Sequence, residues 1–403
     1  MKLLILRSSF QTDEFVRTEY AELLTLLKEQ CGAEVTILGD DDNAVEAWLD
    51  SKVVADFVMT ATGGVEGLFK KIWQSLDHGI RIIADGRNNS LAAALEILSF
   101  VTEYRFVGQI IHGSNTEIVE KVKAILSPLD GTRIGCFGEP SDWLIASDVD
   151  RDITSKLGID IVDIDLDRVK EGFRLADEEE ALAVAERYLE LSKDAEKVEL
   201  RDMVDASKVY LALRKICHEE RLTAMTIRCF DIVKECSTTS CLALALLNDE
   251  GIVAGCEGDL QTVISMVLAQ RICGERAFMA NPSILKENSS LLAHCTIPLS
   301  MCDEYVLDHH FESGIGVAIQ GVLPLTDYTL FKWGGSELDR YFVKECKALK
   351  WENSQHFCRT QILLDADLRD YLLNHSIGNH HVIIRGRHEE ELMHFFKTTL
   401  ERI

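Results

Sequence analysis

Two carboxylates stand two positions apart in the segment GCEGDL, residues 255 to 260, directly after an apolar run. The turn NDEG, the apolar stretch IVAGC and the run LQTVISMVLAQRI predict a strand, a short loop and a helix. Glu257 is then expected at the carboxyl end of a buried strand, where α/β proteins place ligands. Asp259 is expected at the N-cap of the helix, a position that aspartate favours for structural reasons alone.

Glu257 lacks a comparable structural reason for its position. Glutamate is a poor strand residue, and it is rarely buried unless it is paired or bound to a metal. Glu257 is therefore the strongest single functional candidate, with Asp259 beside it as a second candidate catalytic carboxylate.

The histidines are concentrated in the last third of the chain, where nine of the twelve lie after residue 290. Imidazole together with carboxylate is the ligand set of Mn, Fe, Co or Zn, whereas Mg and Ca prefer oxygen alone. His294 lies in the apolar segment LLAHCTIP and is either a core residue or a ligand. His380 and His381 precede a strand in GNHHVII, and alternation allows at most one of them to point into a given site.

The segment DHHFESGIGVAI adds a further pair of candidates. If it is a strand, His310 and Glu312 lie on one face and could flank a cavity. The alternative is a solvated strand end.

These residues require elements that bring distant segments together. In the first third, short apolar strands alternate with amphipathic helices, which predicts a parallel sheet covered on both faces. SPLDGT indicates a boundary, and a second α/β region follows, in which AMTIRCFDIV and CLALALLNDEGIVAGC are expected to be strands. From about residue 277, short strands predict an antiparallel barrel or sandwich. The expected domains are 1–130, 131–276 and 277–403.

The composition of the chain limits which kinds of molecule the protein can bind. Hydrophobic residues make up 47% of the chain, which predicts folded globular domains, and the net charge of -25 argues against nucleic acid or an acidic membrane surface. We expect a cytoplasmic protein, because the chain has no membrane-length apolar run, no signal-peptide pattern and scattered cysteines without CxxC. The nucleotide-binding patterns GxGxxG and GxxxxGK[ST] and the hydrolase pattern GxSxG are absent.

The succession TIRCFD, CLALALLNDEGIVAGCEGDL, FMANPS, LAHCTIP, HFESGIGVAI and GNHHVII resembles the L-fucose isomerase and L-arabinose isomerase superfamily, most closely its shorter fucose-isomerase-like members. The resemblance is strongest from about 225 to 320 and recurs at 378 to 388. It implies two Rossmann-like α/β domains followed by a β-barrel-like domain. It also implies that the protein forms a homo-oligomer, a trimer or hexamer, and that it binds a small-molecule sugar.

Members of this superfamily interconvert aldoses and ketoses by an ene-diol route that uses a divalent metal, usually Mn²⁺. By the resemblance, Glu257 is both a metal ligand and one of two acid/base carboxylates. His294 matches a ligand histidine, and His380 or His381 matches the carboxyl-terminal ligand.

Substrate binding is expected of four residues. The four are His310, Glu312, Arg228 of TIRCFD and Trp333 of LFKWGG. The Trp333 ring could stack on a sugar, and it is equally well explained as a core residue.

One position departs from the superfamily pattern. Arabinose isomerases read FMED and fucose isomerases FADW where this chain reads FMAN, so Ala280 stands at the second catalytic carboxylate and Asn281 follows it. The amide oxygen of Asn281 can bind a metal but cannot accept a proton at neutral pH. Either Asp259, Glu312 or a water takes that role, or the reaction is a metal-assisted carbon-carbon cleavage or dehydration. A further alternative is a homologue that only binds sugar.

Overall fold

The computed structural model describes residues 1–76, 79–104 and 106–400. The chain divides into two compact units, Met1–Pro128 and Leu129–Ile403. Residues 401–403, which the third expected domain includes, lie outside the described residues. The domain limits 1–130, 131–276 and 277–403 stay predictions.

The first unit is a five-stranded parallel sheet with helices on both faces. Its strands are β1 (Lys2–Leu6), β2 (Glu34–Leu38), β3 (Phe57–Thr60), β4 (Gly79–Ile83) and β5 (Val107–Ile111), in the order β2-β1-β3-β4-β5. Its helices are α1 (Asp13–Glu19), α2 (Ala21–Cys31), α3 (Asp42–Ser51), α4 (Glu66–Ile72), α5 (Ser90–Glu103) and α6 (Asn115–Leu126). Leu4 and Leu6 pack into one apolar cluster and Leu3 and Ile5 into another, because successive side chains point to opposite faces.

The second unit begins with a four-stranded parallel sheet. Its strands are β6 (Thr132–Phe137), β7 (Ile159–Ile164), β8 (Ala224–Ile227) and β9 (Val253–Cys256), in the order β7-β6-β8-β9. The helices are α7 (Arg151–Lys156), α8 (Leu166–Leu175), α9 (Glu178–Leu191), α10 (Leu200–Glu219), α11 (Cys229–Cys236), α12 (Cys241–Asp249) and α13 (Leu260–Leu268).

A closed antiparallel barrel completes the second unit. It runs in the order β10-β11-β16-β15-β14-β17, with β10 (Ala277–Lys286), β11 (Ser289–His294), β14 (Asp327–Gly334), β15 (Arg340–Trp351), β16 (Thr360–Leu364) and β17 (His381–Arg385). A separate pair, β12 (Glu304–Asp308) with β13 (Ala318–Val322), and two helices, α14 (Arg369–Asn374) and α15 (Glu389–Leu400), accompany it. One apolar cluster joins Ile134 of the sheet, Ile264 of α13 and Phe331 of the barrel. The predicted fold class, two parallel sheets and a β-rich carboxyl-terminal barrel, is confirmed.

Two predicted strands are wrong in part. CLALALLND forms helix α12, and only the following segment Val253–Cys256 is a strand. Every residue of α12 from Cys241 to Asn248 is buried, so the run has no polar face and periodicity cannot distinguish helix from strand. AMTIRCFDIV likewise divides into β8 and helix α11.

Among the described residues, no helix has both the length and the apolar character that crossing a membrane would require.

Candidate active site

Glu257 lies directly after β9, at the carboxyl end of the second parallel sheet, as the sequence predicts. Its backbone adopts a left-handed conformation with φ of 64°, which non-glycine residues rarely adopt and which costs free energy. The carbonyl oxygen of Glu257 accepts a hydrogen bond from the Ser141 amide at 2.9 Å. At Gly258, which also has positive φ, an added Cβ would lie 2.6 Å from the Cα of Pro140. The turn that presents Glu257 is therefore held against the loop after β6.

Two histidines from the barrel meet this carboxylate. His294 is the last residue of β11, and His380 directly precedes β17. Their Nε2 atoms lie 3.9 Å and 3.6 Å from Glu257 Oε1, and both imidazoles are buried. One ligand atom from each of the three side chains lies within 4.8 Å of the other two, which is a group that could hold a metal ion.

Asp259 contacts His380 at Nδ1, the ring nitrogen that does not face Glu257. As predicted, it is the N-cap of α13, accepting from the Thr262 amide at 2.8 Å. Its other oxygen lies 2.9 Å from His380 Nδ1 and 3.7 Å from the buried Lys332 ammonium. A carboxylate on Nδ1 leaves the Nε2 lone pair free to bind a metal, an arrangement common around metal-bound histidines. Asp259 is thus fully buried, and its two oxygens contact Thr262, His380 and Lys332.

His294 has an analogous partner. The Thr296 hydroxyl lies 3.0 Å from His294 Nδ1, and both residues are buried. If Nδ1 donates to this hydroxyl, Nε2 is left as an acceptor that faces Glu257.

The electrostatics favour an ionised carboxylate beside a neutral imidazole. Burial would raise the pKa of Glu257, but the neighbouring His380, then His294 and the Trp143 indole, lower it to about 2. Burial, followed by repulsion from His380, lowers the pKa of His294 to about 4. Burial also lowers the pKa of His380, but its contacts with Asp259 and Glu257 outweigh burial, so that its pKa is raised. A metal ion would compete with the proton on His380 Nε2.

Two buried polar atoms here have no hydrogen-bond partner among the described residues: Asn281 Oδ1 and His380 Nε2. An unpaired buried polar atom costs about 1–3 kcal/mol, so such atoms are rare without a functional reason. Carboxylate, imidazole and amide oxygen together suit a divalent transition metal. Glu257, His294 and His380 are therefore the residues that could hold a metal ion, and Asn281 lines the same cavity as Glu257 and His294.

A cavity opens in front of this group. Glu257, Asn281, His294, His310 and Glu312 all line it. His310 and Glu312 reach the cavity from a turn that follows β12, and the expected strand alternation is wrong for this segment because β12 ends at Asp308. The rest of the lining consists of thiols, two apolar side chains and two hydroxyls: Cys229, Cys241, Cys256, Cys295, Cys358, Phe230, Val233, Thr239 and Ser240.

Three other candidates lie elsewhere in the structure. Trp333 is fully buried, donates its indole N–H to the Leu338 carbonyl at 2.7 Å and packs edge to face against Phe395 and Phe396 of α15. His381 pairs with Ala280 across β10 and β17, and its Nε2 lies 2.9 Å from the Tyr371 hydroxyl. The structure therefore brings His380, and not His381, to Glu257.

Arg228 is not among the residues that line the cavity described above. Its guanidinium donates to the Pro140 carbonyl at 2.7 Å and pairs with Asp142 and Asp231, each at 2.9 Å. The contacts with Pro140 and Asp142 hold the loop after β6, and the contact with Asp231 is to α11.

Sequence reasoning did not single out Trp143. Its indole N–H donates to Glu257 Oε2 at 2.6 Å, across 114 residues of chain. A lone tryptophan after a Gly-Glu-Pro turn carries no signal for such a contact, and only its position after a parallel strand could have drawn attention to it.

Comparison with known proteins gives a partial similarity, and no family model matches the chain. A sulfoquinovose isomerase from Alkalicoccus urumqiensis is 27% identical over 194 residues, which are 45% of this chain and 41% of the relative. Sulfoquinovose isomerases from Priestia aryabhattai and Priestia megaterium are each 24% identical over 183 residues, 43% of this chain and 40% of each relative. The chain thus spans about two fifths of the length of the curated relatives that it matches. The more specific resemblance to fucose and arabinose isomerases stays a prediction.

Proposed function

We propose that this protein is a metal-dependent aldose-ketose sugar isomerase. The observation that carries the proposal is the buried group of Glu257, His294 and His380 at the end of a parallel sheet. Asn281, whose Oδ1 has no hydrogen-bond partner among the described residues, lines the same cavity as Glu257 and His294. The similarity to sulfoquinovose isomerases supports a sugar as the substrate.

The residues suit isomerisation through an ene-diol. A divalent cation, for which we propose Mn²⁺, would supply polarisation of the sugar carbonyl and of the adjacent hydroxyl. Glu257 is ionised at neutral pH, and its carboxylate can take a proton from C2 and return it to C1.

A second acid/base group is needed where the chain has Ala280. Of the alternatives open from the sequence, Glu312 is better placed than Asp259, because Glu312 lines the cavity whereas Asp259 is committed to Thr262, His380 and Lys332. We propose Glu312 for this role, with His310 beside it in contact with substrate.

The test is reconstitution. We expect the metal-stripped protein to be inactive and Mn²⁺ to restore ketose formation from at least one aldose in a panel that includes sulfoquinovose and neutral pentoses and hexoses. In D₂O, solvent deuterium should enter the product at C1 of the ketose. Absence of turnover on every sugar by a protein with bound Mn²⁺ would refute the proposal.

The second candidate function is sugar binding without catalysis, which Ala280 favours. Ala280 is fully buried and has no ionisable side chain, so it cannot serve as an acid or a base. Calorimetry that shows a sugar binding equally well with and without Mn²⁺, and no turnover, would select this alternative.

A further inference from the structure

The loop that follows β6 is fastened to the turn that carries Glu257. Its backbone amide at Ser141 donates to the Glu257 carbonyl at 2.9 Å, and Pro140 packs against Gly258. Arg228 holds the loop from the other side through the Pro140 carbonyl and Asp142. The loop therefore has a defined position relative to the site, and the Trp143 side chain of this loop hydrogen-bonds to Glu257.

The two carboxylate oxygens of Glu257 have different surroundings. Oε2 accepts the Trp143 indole N–H at 2.6 Å, while Oε1 faces His294 and His380. A hydrogen bond to an ionised acceptor is stronger than one between neutral groups, and it fixes the orientation of the carboxylate plane. Without it, Glu257 could rotate and present either oxygen to the histidines.

The Trp143 ring has a second set of contacts. Trp143 is 52% exposed, and its ring meets Phe230 edge to face at 5.0 Å. Phe230 in turn meets the His310 ring edge to face at 5.6 Å, and both of these residues line the cavity. The three rings form a continuous row beside the cavity, and flat rings suit the apolar C–H face of a sugar.

We propose that Trp143 is a positioning residue that holds Glu257 Oε2 so that Oε1 remains directed at the metal, while its ring extends the wall along which the sugar lies. This inference rests on the proposed function for the sugar, but the hold on Glu257 does not depend on turnover. Indole donation and ring contact can be separated by substitution.

Trp143→Phe keeps a ring and removes the N–H donor. We expect the affinity of the metal-free protein for Mn²⁺, measured by titration calorimetry, to fall about tenfold or more, since hydrogen-bond partners of metal ligands typically contribute about 10–100-fold in affinity. At saturating Mn²⁺, the kcat of Trp143→Phe should also fall, whereas its KM for the sugar should change less than about twofold. The control is Trp351→Phe, because Trp351 is also about half exposed but lies on barrel strand β15. Unchanged Mn²⁺ affinity and kcat in Trp143→Phe would overturn the proposal.

Trp143→Leu removes the ring as well as the donor. We expect KM to rise at least about fivefold above that of Trp143→Phe, with a similar Mn²⁺ affinity. Equal KM values for the two variants would show that the Trp143 ring does not contact the sugar. If Trp143→Leu does not fold, the Mn²⁺ affinity of Trp143→Phe still decides whether Trp143 positions Glu257. If the wild-type protein converts no sugar, the proposed function fails, and the Mn²⁺ titrations still decide whether Trp143 positions Glu257.

Discussion

Each of the two units ends the strands of a parallel sheet in polar side chains, but the two edges use them differently. In the first unit, Asp85 follows β4 and accepts from the Arg87 amide at 3.0 Å and the Ser90 hydroxyl at 3.2 Å. Thr62 accepts from the Ser8 amide at 2.9 Å, and His112 Nδ1 lies 2.7 Å from the Ala84 carbonyl. The partners of these groups are backbone atoms and, for Asp85, also the side chains of Ser90 and Arg87.

The edge of the second unit leaves polar atoms unpaired. Glu257 is held in a strained conformation, and Asn281 Oδ1 and His380 Nε2 are buried without hydrogen-bond partners among the residues that the structure describes. The difference arises because barrel residues converge on the sheet edge in the second unit. Polar residues at a strand end therefore indicate a site only when their partners leave some of them free for a ligand.

The largest effect is expected from the carboxylate itself. Glu257→Gln should lower turnover at least about a thousandfold, because it removes both a metal ligand and the proposed base. Urea unfolding of the metal-free protein should change little. The matched control in the first unit is Asp85→Asn, which should cost about 1 kcal/mol of unfolding free energy and leave turnover within about twofold. A similar loss of turnover in both variants would break the contrast between the edges.

The second-largest effect is expected at a buried helix N-cap, Asp259, compared with an exposed one, Asp41. Asp259→Asn should lower the unfolding free energy of the metal-free protein by about 3–5 kcal/mol, because it leaves the buried Lys332 without its counter-charge. Asp41, the exposed N-cap of α3, provides the comparison, since asparagine caps helices as well as aspartate does. Urea denaturation should show almost no change for Asp41→Asn. A cost below about 1 kcal/mol for Asp259→Asn would mean that the buried pair contributes little.

The smallest effect comes from two buried threonines. Thr296→Val should weaken Mn²⁺ binding about tenfold, since partners of metal-bound histidines typically contribute 10–100-fold in affinity. Thr62→Val should lower unfolding free energy by about 1 kcal/mol and leave Mn²⁺ affinity unchanged. Calorimetric titration of both variants with Mn²⁺ makes the comparison. Equal affinities for Thr296→Val and the wild type would remove Thr296 from the site.

Much of the fold could be predicted because its signals are local. Alternation of apolar strands with amphipathic helices predicted the parallel sheets, and the loss of helical periodicity predicted the barrel. The cap at Asp259 follows from a single residue before an apolar run. The buried helix α12 was missed because an apolar run without polar residues has no period to read.

The sequence by itself determined that Glu257 ends a strand, that Asp259 caps a helix and that at most one of His380 and His381 can face the site. Only the tertiary structure selected His380, joined it to Asp259 across 121 residues, and placed Trp143 on Glu257 across 114. It also left Asn281 Oδ1 unpaired and assigned Trp333 to the core. The physical reason is that caps and strand ends depend on neighbours in sequence, whereas the partners of a buried polar atom depend on which distant segments pack around it.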